Sequence, residues 1–367
     1  MGFKVIFSFY RKRDCQRRWD TCRTNAFGVW YAVRLGHTYP MKHLVLLDAN
    51  HLMHRAYWAI QRNLATSAGE RTNAVFGVAS MLLTLMAREQ PDVLIACFDE
   101  GKETFRHKDH AGYKAGRPET PDDFYAQIPR VHQCLASFGI PVFSDPKFEA
   151  DDLIGTLAKR GVEAGYTVTI VTGDRDLFQM ADAGIRIAVP HKGYATPEYL
   201  DAAGVAEKLG VTPAQIPDYK GLTGDPSDNL KGVKGIGPKT AAELLQTFSS
   251  LEGVYAHLAE IRESVRKKLE ADRESAFFCK KLAVLVTDVP VTVDFGELAR
   301  RRAAIGDIDR FFALLEFFTL RRRFHAFVTD DAYAREHFTG ELQPEIIAEE
   351  ERAGEKRMTE EQLPLLD

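Results

Sequence analysis

No apolar run in the 367 residues is long enough to span a membrane, and no secretory apolar segment precedes a small-residue cleavage site. Cysteine is scarce: the five residues at 15, 22, 97, 134 and 279 are odd in number, scattered and without metal-ligand spacing. That usage leaves no disulfide framework and fits a reduced, cytoplasmic setting. Collagen-like repetition and a disordered composition are both missing. Net basic charge is missing too. With a formal charge of −4, any contact with nucleic acid must depend on where cations are placed locally.

What is present begins with length. A chain of 367 residues buries a sizeable core and points to two domains, because single cores stop growing at roughly 250–300 residues. Residues 1–40 are basic, with Arg11, Lys12, Arg13, Arg17, Arg18 and Arg23 against Asp14 and Asp20, and they lack strong periodicity. They are expected to lie outside the fold, as an upstream start or a transit-type extension. The fold is expected to begin at Met41, just before the run Leu44–Leu47.

From there β-branched apolar runs alternate with helical patterns. The runs at 44–47, 93–98, 140–143, 168–171 and 185–189, separated by helical stretches at 73–88, 125–138 and 150–164, predict α/β architecture with a parallel sheet covered on both faces. Asp48, Asp99 and the pair Asp174 and Asp176 follow three of these runs. In open parallel sheets the ligand crevice lies at the carboxyl ends of the strands, so these acids should converge. Taken singly, an Asp after a strand is a cap or turn former. The stretch 147–154 adds Glu149, Asp151 and Asp152 at the head of an apolar helical pattern. Such crowding is costly unless a cation sits there, since a helix dipole offsets only about 0.3–1 kcal/mol of the repulsion; capping acids on a solvated helix start are the plainer alternative. Asp225 and Asp228 enlarge the set, and acids gathered without His or Cys favour Mg²⁺ or Mn²⁺ over zinc. The chemistry that a pair of such ions serves is in-line displacement at phosphorus.

Two basic segments complete the pattern. Residues 101–117 interleave Lys102, Arg106, Lys108, Lys114 and Arg117 with Phe105 and Tyr113, directly after Asp99. As a surface loop this is ordinary; beside an acidic crevice it suggests a gate for single-stranded nucleic acid, with Tyr113 stacking and the cations on phosphate. Residues 230–240 place Lys231, Lys234 and Lys239 around Gly232, Gly235 and Gly237 ahead of the helical run 241–248, a turn whose N–H groups suit a phosphate backbone. Pro238 interrupts the Gly-Lys-Thr order of a nucleotide-binding P-loop.

In this order, Leu47-Asp48-Ala49-Asn50 with His54-Arg55-Ala56-Tyr57, Thr72–Gly77, Phe98-Asp99, Phe105-Arg106, Tyr113-Lys114, Arg117, Glu149–Asp152, Thr172–Asp176, Gly224–Asn229 and Gly232–Lys239 resemble the 5′-nuclease domain of bacterial DNA polymerase I, a member of the flap endonuclease group. The resemblance covers about 41–325. It implies a PIN-like parallel-sheet nuclease core over 41–215 with a helical arch at about 100–123, and an α-helical helix-three-turn-helix DNA-binding module over 216–330. It also implies Asp99, Glu149, Asp151 and Asp152 around one Mg²⁺ and Asp176, Asp225 and Asp228 around a second, with Asp48 and Asp174 between or just outside. Arg106 and Lys114 would touch the scissile phosphate. Arg55, Tyr113, Arg117, Lys231, Lys234, Gly235, Gly237 and Lys239 would contact DNA, and K⁺ would sit in the helical module. The expected activity is 5′-3′ exonuclease and flap endonuclease action in replication and repair, by a monomer standing alone, since no polymerase follows. A catalytically silent DNA-binding factor on the same fold is the alternative.

The acidic segment 331–367 holds too little apolar surface to fold alone and is expected to be a flexible tail. It ends with Gln362, Leu363, Leu365 and Leu366, which resemble the Gln-Leu-x-Leu peptide that bacterial replication proteins dock on the sliding clamp.

Overall fold

The computed structural model describes residues 21–24, 30–34, 37–40, 42–60, 63–100, 104–116 and 119–342. Its first sheet is a small antiparallel meander, β1 (Thr21–Thr24), β2 (Trp30–Arg34) and β3 (His37–Pro40). These strands fall in the stretch expected to lie outside the fold, and they pair with no strand of the main sheet.

The main sheet contains β4 (Lys42–Asp48), β5 (Val93–Cys97), β6 (Val142–Phe143), β7 (Tyr166–Val171), β8 (Ile185–Val189) and β9 (Glu198–Leu200), in the order β6-β5-β4-β7-β8-β9. All pairings are parallel except β8 with β9. Central β4 shows why its run Leu44–Leu47 is apolar at every position: Val45 and Leu47 enter one core, Leu44 and Leu46 the other, so the two-residue period buries both faces. Each such side chain contributes about 1.5–3 kcal/mol relative to exposure. The chain leaves β4 toward β5 and β6, then returns to β7 on the other side of β4. That reversal opens the crevice beside the carboxyl ends of β4, β5 and β7, where Asp48, Asp99 and Asp174 sit.

Helices Ala49–Ala59, Asn73–Glu89 and Ile128–Ser137 cover one face. Helix Ala150–Glu163 covers the other, together with a helical module that includes Ile216–Thr223, Pro238–Phe248 and Leu251–Ala256. The segment after 300 departs from expectation. Helices Ile305–Leu314 and Phe318–Asp330 send Ile308, Phe312, Leu320 and Phe324 into the first core beside Phe138, and so pack on the sheet domain's side. The expected tail also begins later, because Ala332–His337 is helical and Phe338 is buried in that core. Alternating apolar and charged residues had concealed a helix that is stable only against the aromatic cluster it closes.

Candidate active site

Five segments converge at the crevice. Asp48 ends β4; its Oδ1 accepts the His51 N–H at 3.0 Å, capping helix Ala49–Ala59, and its Oδ2 accepts the Thr172 hydroxyl at 2.7 Å. Thr172 in turn accepts the Asp174 N–H at 2.9 Å, and Asp174 Oδ1 accepts the Asp176 N–H at 2.9 Å, so the turn after β7 is fixed by its own acids. Asp99 is tied to Asn50 Nδ2 (3.0 Å) and to the Ala150 N–H (2.7 Å), which joins the end of β5 to the start of helix Ala150–Glu163.

Asp151 lies at the centre. It accepts no hydrogen bond among the described residues, and burial followed by the charges of Asp174, Asp48, Asp176 and Asp99 pushes its carboxyl well above the ordinary carboxylate range. Burial also raises Asp48 and Asp176 to about 6, against the partial relief given by His51 to the first and Lys220 to the second. Asp176, Asp225 and Asp228 form a second group whose carboxylate oxygens lie within 4.8 Å of one another. Here Asp225, opposed by burial but paired with Lys220 and bonded to Ser227, is held below the ordinary value.

Cations stand among these acids. The Lys114 ammonium bonds Glu149 Oε1 at 2.8 Å. Burial works against its charge, but Glu149, Asp228 and Asp99 outweigh it and raise the pKa. The Lys114 backbone is left-handed (φ 57°), a conformation that costs a non-glycine residue about 1–3 kcal/mol and recurs at functional sites. Lys220, on helix Ile216–Thr223, bridges Asp176 and Asp225. Sequence reasoning passed over Lys220. Its only local signal is a cation five residues before Asp225, in the last turn of a short helix.

Three side chains expected at the metal or the DNA are engaged by other parts of the protein. Arg106 is 2 % exposed, and its guanidinium is occupied: it grips Asp152 with Nη1 (2.7 Å) and Nη2 (2.8 Å), and also meets Glu149, the Leu282 carbonyl and the Val284 carbonyl. A phosphate would have to displace that set. Asp152 is wholly buried, pairs with Arg106 and also accepts the Glu149 and Val286 N–H groups. Tyr113, expected to stack on a base, is 5 % exposed, packs with Leu230, Cys279 and Leu282, and donates its hydroxyl between Glu149 (3.2 Å) and Asp228 (3.1 Å).

The basic turn immediately precedes helix Pro238–Phe248. Lys231, Lys234 and Lys239 are exposed, and Gly237 caps helix Pro238–Phe248 with no side chain over its N–H groups. Gly235 needs its freedom, with φ 79° and its carbonyl against Lys268 Nζ at 2.9 Å. Lys268, from a helix more than thirty residues on, is a further cation that no local pattern announced. Arg55 is half-buried on the helix that follows β4. Arg117 and the terminal Gln362, Leu363, Leu365 and Leu366 fall outside the described residues.

The family model for the 5′-3′ exonuclease N-terminal resolvase-like domain matches residues 43–210, and that for the 5′-3′ exonuclease C-terminal SAM fold matches 211–305. The chain belongs to the 5′-3′ exonuclease family. Among relatives of this family member, thermostable DNA polymerase I of Thermus thermophilus is 41% identical over 285 residues, covering 78% of this chain and 33% of the polymerase. DNA polymerase I of Bacillus subtilis is 38% identical over 283 residues, 77% of this chain and 32% of the polymerase. The chain thus spans about a third of the length of these relatives. A bacteriophage T5 flap endonuclease solved with DNA and metal ions shares the fold at TM-score 0.57 and 19% identity, over 77% of this chain and 100% of that one. The T5 5′-exonuclease with bound zinc gives TM-score 0.56 at 19% identity, over 74% of this chain and 97% of that one.

Proposed function

We propose that the protein is a divalent-metal-dependent, structure-specific 5′ nuclease that hydrolyses phosphodiesters at 5′ flaps and 5′ ends, removing flaps or primers in replication and repair. The observation that carries this reading is Asp151, a carboxylate with no hydrogen bond among the described residues, facing the charges of Asp48, Asp99, Asp174 and Asp176 across the crevice. Acids crowded together repel one another unless a cation sits among them, and such a set of hard oxygens fits Mg²⁺, with Mn²⁺ as substitute. Asp48, Asp99, Glu149, Asp151 and Asp174 would hold one ion, and Asp176, Asp225 and Asp228 the second. Two such ions activate water and stabilise the leaving oxygen.

The chain's own residues do the rest. Lys114 and Lys220 neutralise Glu149 and the second acid group, and both ammonium groups can turn toward an anionic phosphate entering between them. Arg106 keeps Glu149 and Asp152 in place. The exposed lysines around Gly235 and the open start of helix Pro238–Phe248 hold the duplex backbone without regard to sequence, with K⁺ assisting at that module. Cleavage of a 5′-flap duplex in Mg²⁺, and its loss in chelator with DNA binding retained, tests the reading; binding without cleavage in any divalent metal would instead identify a silent DNA-binding factor. The protein would act as a monomer. The terminal peptide Thr359–Asp367 would dock on a sliding clamp, raising the local concentration at primer junctions. Clamp stimulation should vanish in Gln362→Ala with Leu365→Ala while basal cleavage persists.

A further inference from the structure

Two turns from opposite halves of the molecule meet at the crevice. One carries Gly112, Tyr113 and Lys114, after the short helix Phe105–Asp109; the other follows Asp225 and ends at Asn229. Besides the Tyr113 hydroxyl on Asp228, two hydrogen bonds to backbone carbonyls join them: the Lys114 N–H donates to the Asp228 carbonyl at 3.0 Å, and Asn229 Nδ2 donates to the Gly112 carbonyl at 2.8 Å. Both Lys114 and Asn229 have φ 57°, a left-handed backbone. Asn tolerates this conformation; Lys does so only under constraint. The constraint on Lys114 is therefore supplied from outside its own turn.

We propose that Asn229 is a positioning residue that sets where the Lys114 ammonium stands against Glu149. The inference rests on the reading above, in which Lys114 faces the scissile phosphate. The side-chain amide holds the carbonyl two residues before Lys114, while the adjacent Asp228 carbonyl holds the Lys114 N–H, so the turn is clamped on both sides of Tyr113. Gly112 allows the approach, since a Cβ there would lie 3.1 Å from Asn229 Nδ2. Without the amide, the Gly112 carbonyl keeps only the Ala115 N–H at 3.0 Å, and the turn relaxes toward ordinary backbone, carrying the lysine off its line. The clamp also ties Lys114 to Asp228, so a cation aimed at the phosphate and a carboxylate of the second acid group keep one spacing. Asn229 is exposed, so its replacement removes a hydrogen bond without opening the core.

The test compares Asn229→Gly, which keeps the left-handed backbone but loses the donor, and Asn229→Asp, which keeps the shape but presents an acceptor to the carbonyl. Single-turnover cleavage of a 5′-flap duplex in Mg²⁺ should fall by about ten- to a hundredfold in both. Flap-duplex Kd in chelator and melting temperature should match the wild type. In a Lys114→Ala background Asn229→Gly should add no further loss, because a residue that acts through Lys114 has nothing left to aim. Wild-type rates in both Asn229 variants, or a full extra loss on top of Lys114→Ala, would overturn the positioning role and leave the Lys114 reading intact. A wild-type rate in Lys114→Ala alone would overturn that reading and the positioning role with it.

Discussion

Both ends of the main sheet bury acids, and they treat them in opposite ways. Near the start of β4 and β8, Glu89 receives Tyr194, Tyr199 and Arg186 and lies beside His43, so its carboxylate is fully engaged. At the carboxyl ends, Asp151 receives no hydrogen bond among the described residues and faces four like charges. A satisfied buried acid specifies and stiffens a fold; an acid crowded by others stores a conflict that a bound cation resolves. The same contrast recurs within the crevice, between Asp152, locked by Arg106, and Asp176, held by the single lysine Lys220.

The sharpest way to break this comparison is to remove an acid from the crowded end. Asp176→Ala is expected to abolish cleavage in Mg²⁺ while flap-duplex binding in chelator is retained; residual cleavage at the wild-type rate would show that the second acid group is structural, like Glu89. Next comes Lys114→Ala, which should slow single-turnover cleavage by roughly 10²–10³, the usual size of one lost electrostatic donor. A weaker Kd with an unchanged rate would place Lys114 on the entry path.

Arg106→Met should act on stability. It leaves Asp152 buried and uncompensated, a loss of about 3–5 kcal/mol in urea unfolding. If stability holds and only the rate falls, Arg106 belongs with the mobile cations.

Proton linkage gives a fourth, smaller effect. Asp48 and Asp176 sit at about 6 in the fold, above the roughly 3.8 of an unfolded Asp, so their contribution to folding is present near pH 4 and is lost as pH rises through 6. Under the proposed function, Mg²⁺ would replace the protons there. The melting-temperature gain from Mg²⁺ should therefore be larger at pH 7 than at pH 5, and an equal gain at both would remove these two acids from the metal site. The smallest effect belongs to Lys239→Ala, which should weaken binding alike for unrelated duplex sequences and lower the salt slope by about 0.9. A loss confined to some sequences would mean base contact.

What was legible in the sequence depended on how local its cause is. The β runs and the acids that follow them are visible because burial on both faces and strand ends leave a mark within a few residues, as at Leu44–Asp48. The glycine-rich turn before Pro238–Phe248 is equally local. The fates of Arg106 and Tyr113 were not legible. Their partners Asp152, Leu282 and Asp228 are 46, 176 and 115 residues away, and a cation or aromatic in a polar loop looks the same whether it meets DNA or a buried carboxylate. Lys220 and Lys268 were missed for the same reason. The antiparallel β9 is too short to carry a pattern, with three residues.

The close approach of Gly224 and Gly232 bears on where a 5′ nuclease built this way would cut. A Cβ on Gly232 would lie 2.1 Å from the Gly224 nitrogen, and the Val233 N–H donates to the Leu222 carbonyl at 2.9 Å. The strip of backbone that bears Lys231, Lys234 and Lys239 is thus pressed against the strip that bears Asp225 and Asp228, with no side chain between to give way. Under the proposed function, these two backbones are the marks of a gauge: one end rests on the duplex, the other marks the bond to be broken, and the number of nucleotides between them is written into the width of two glycines.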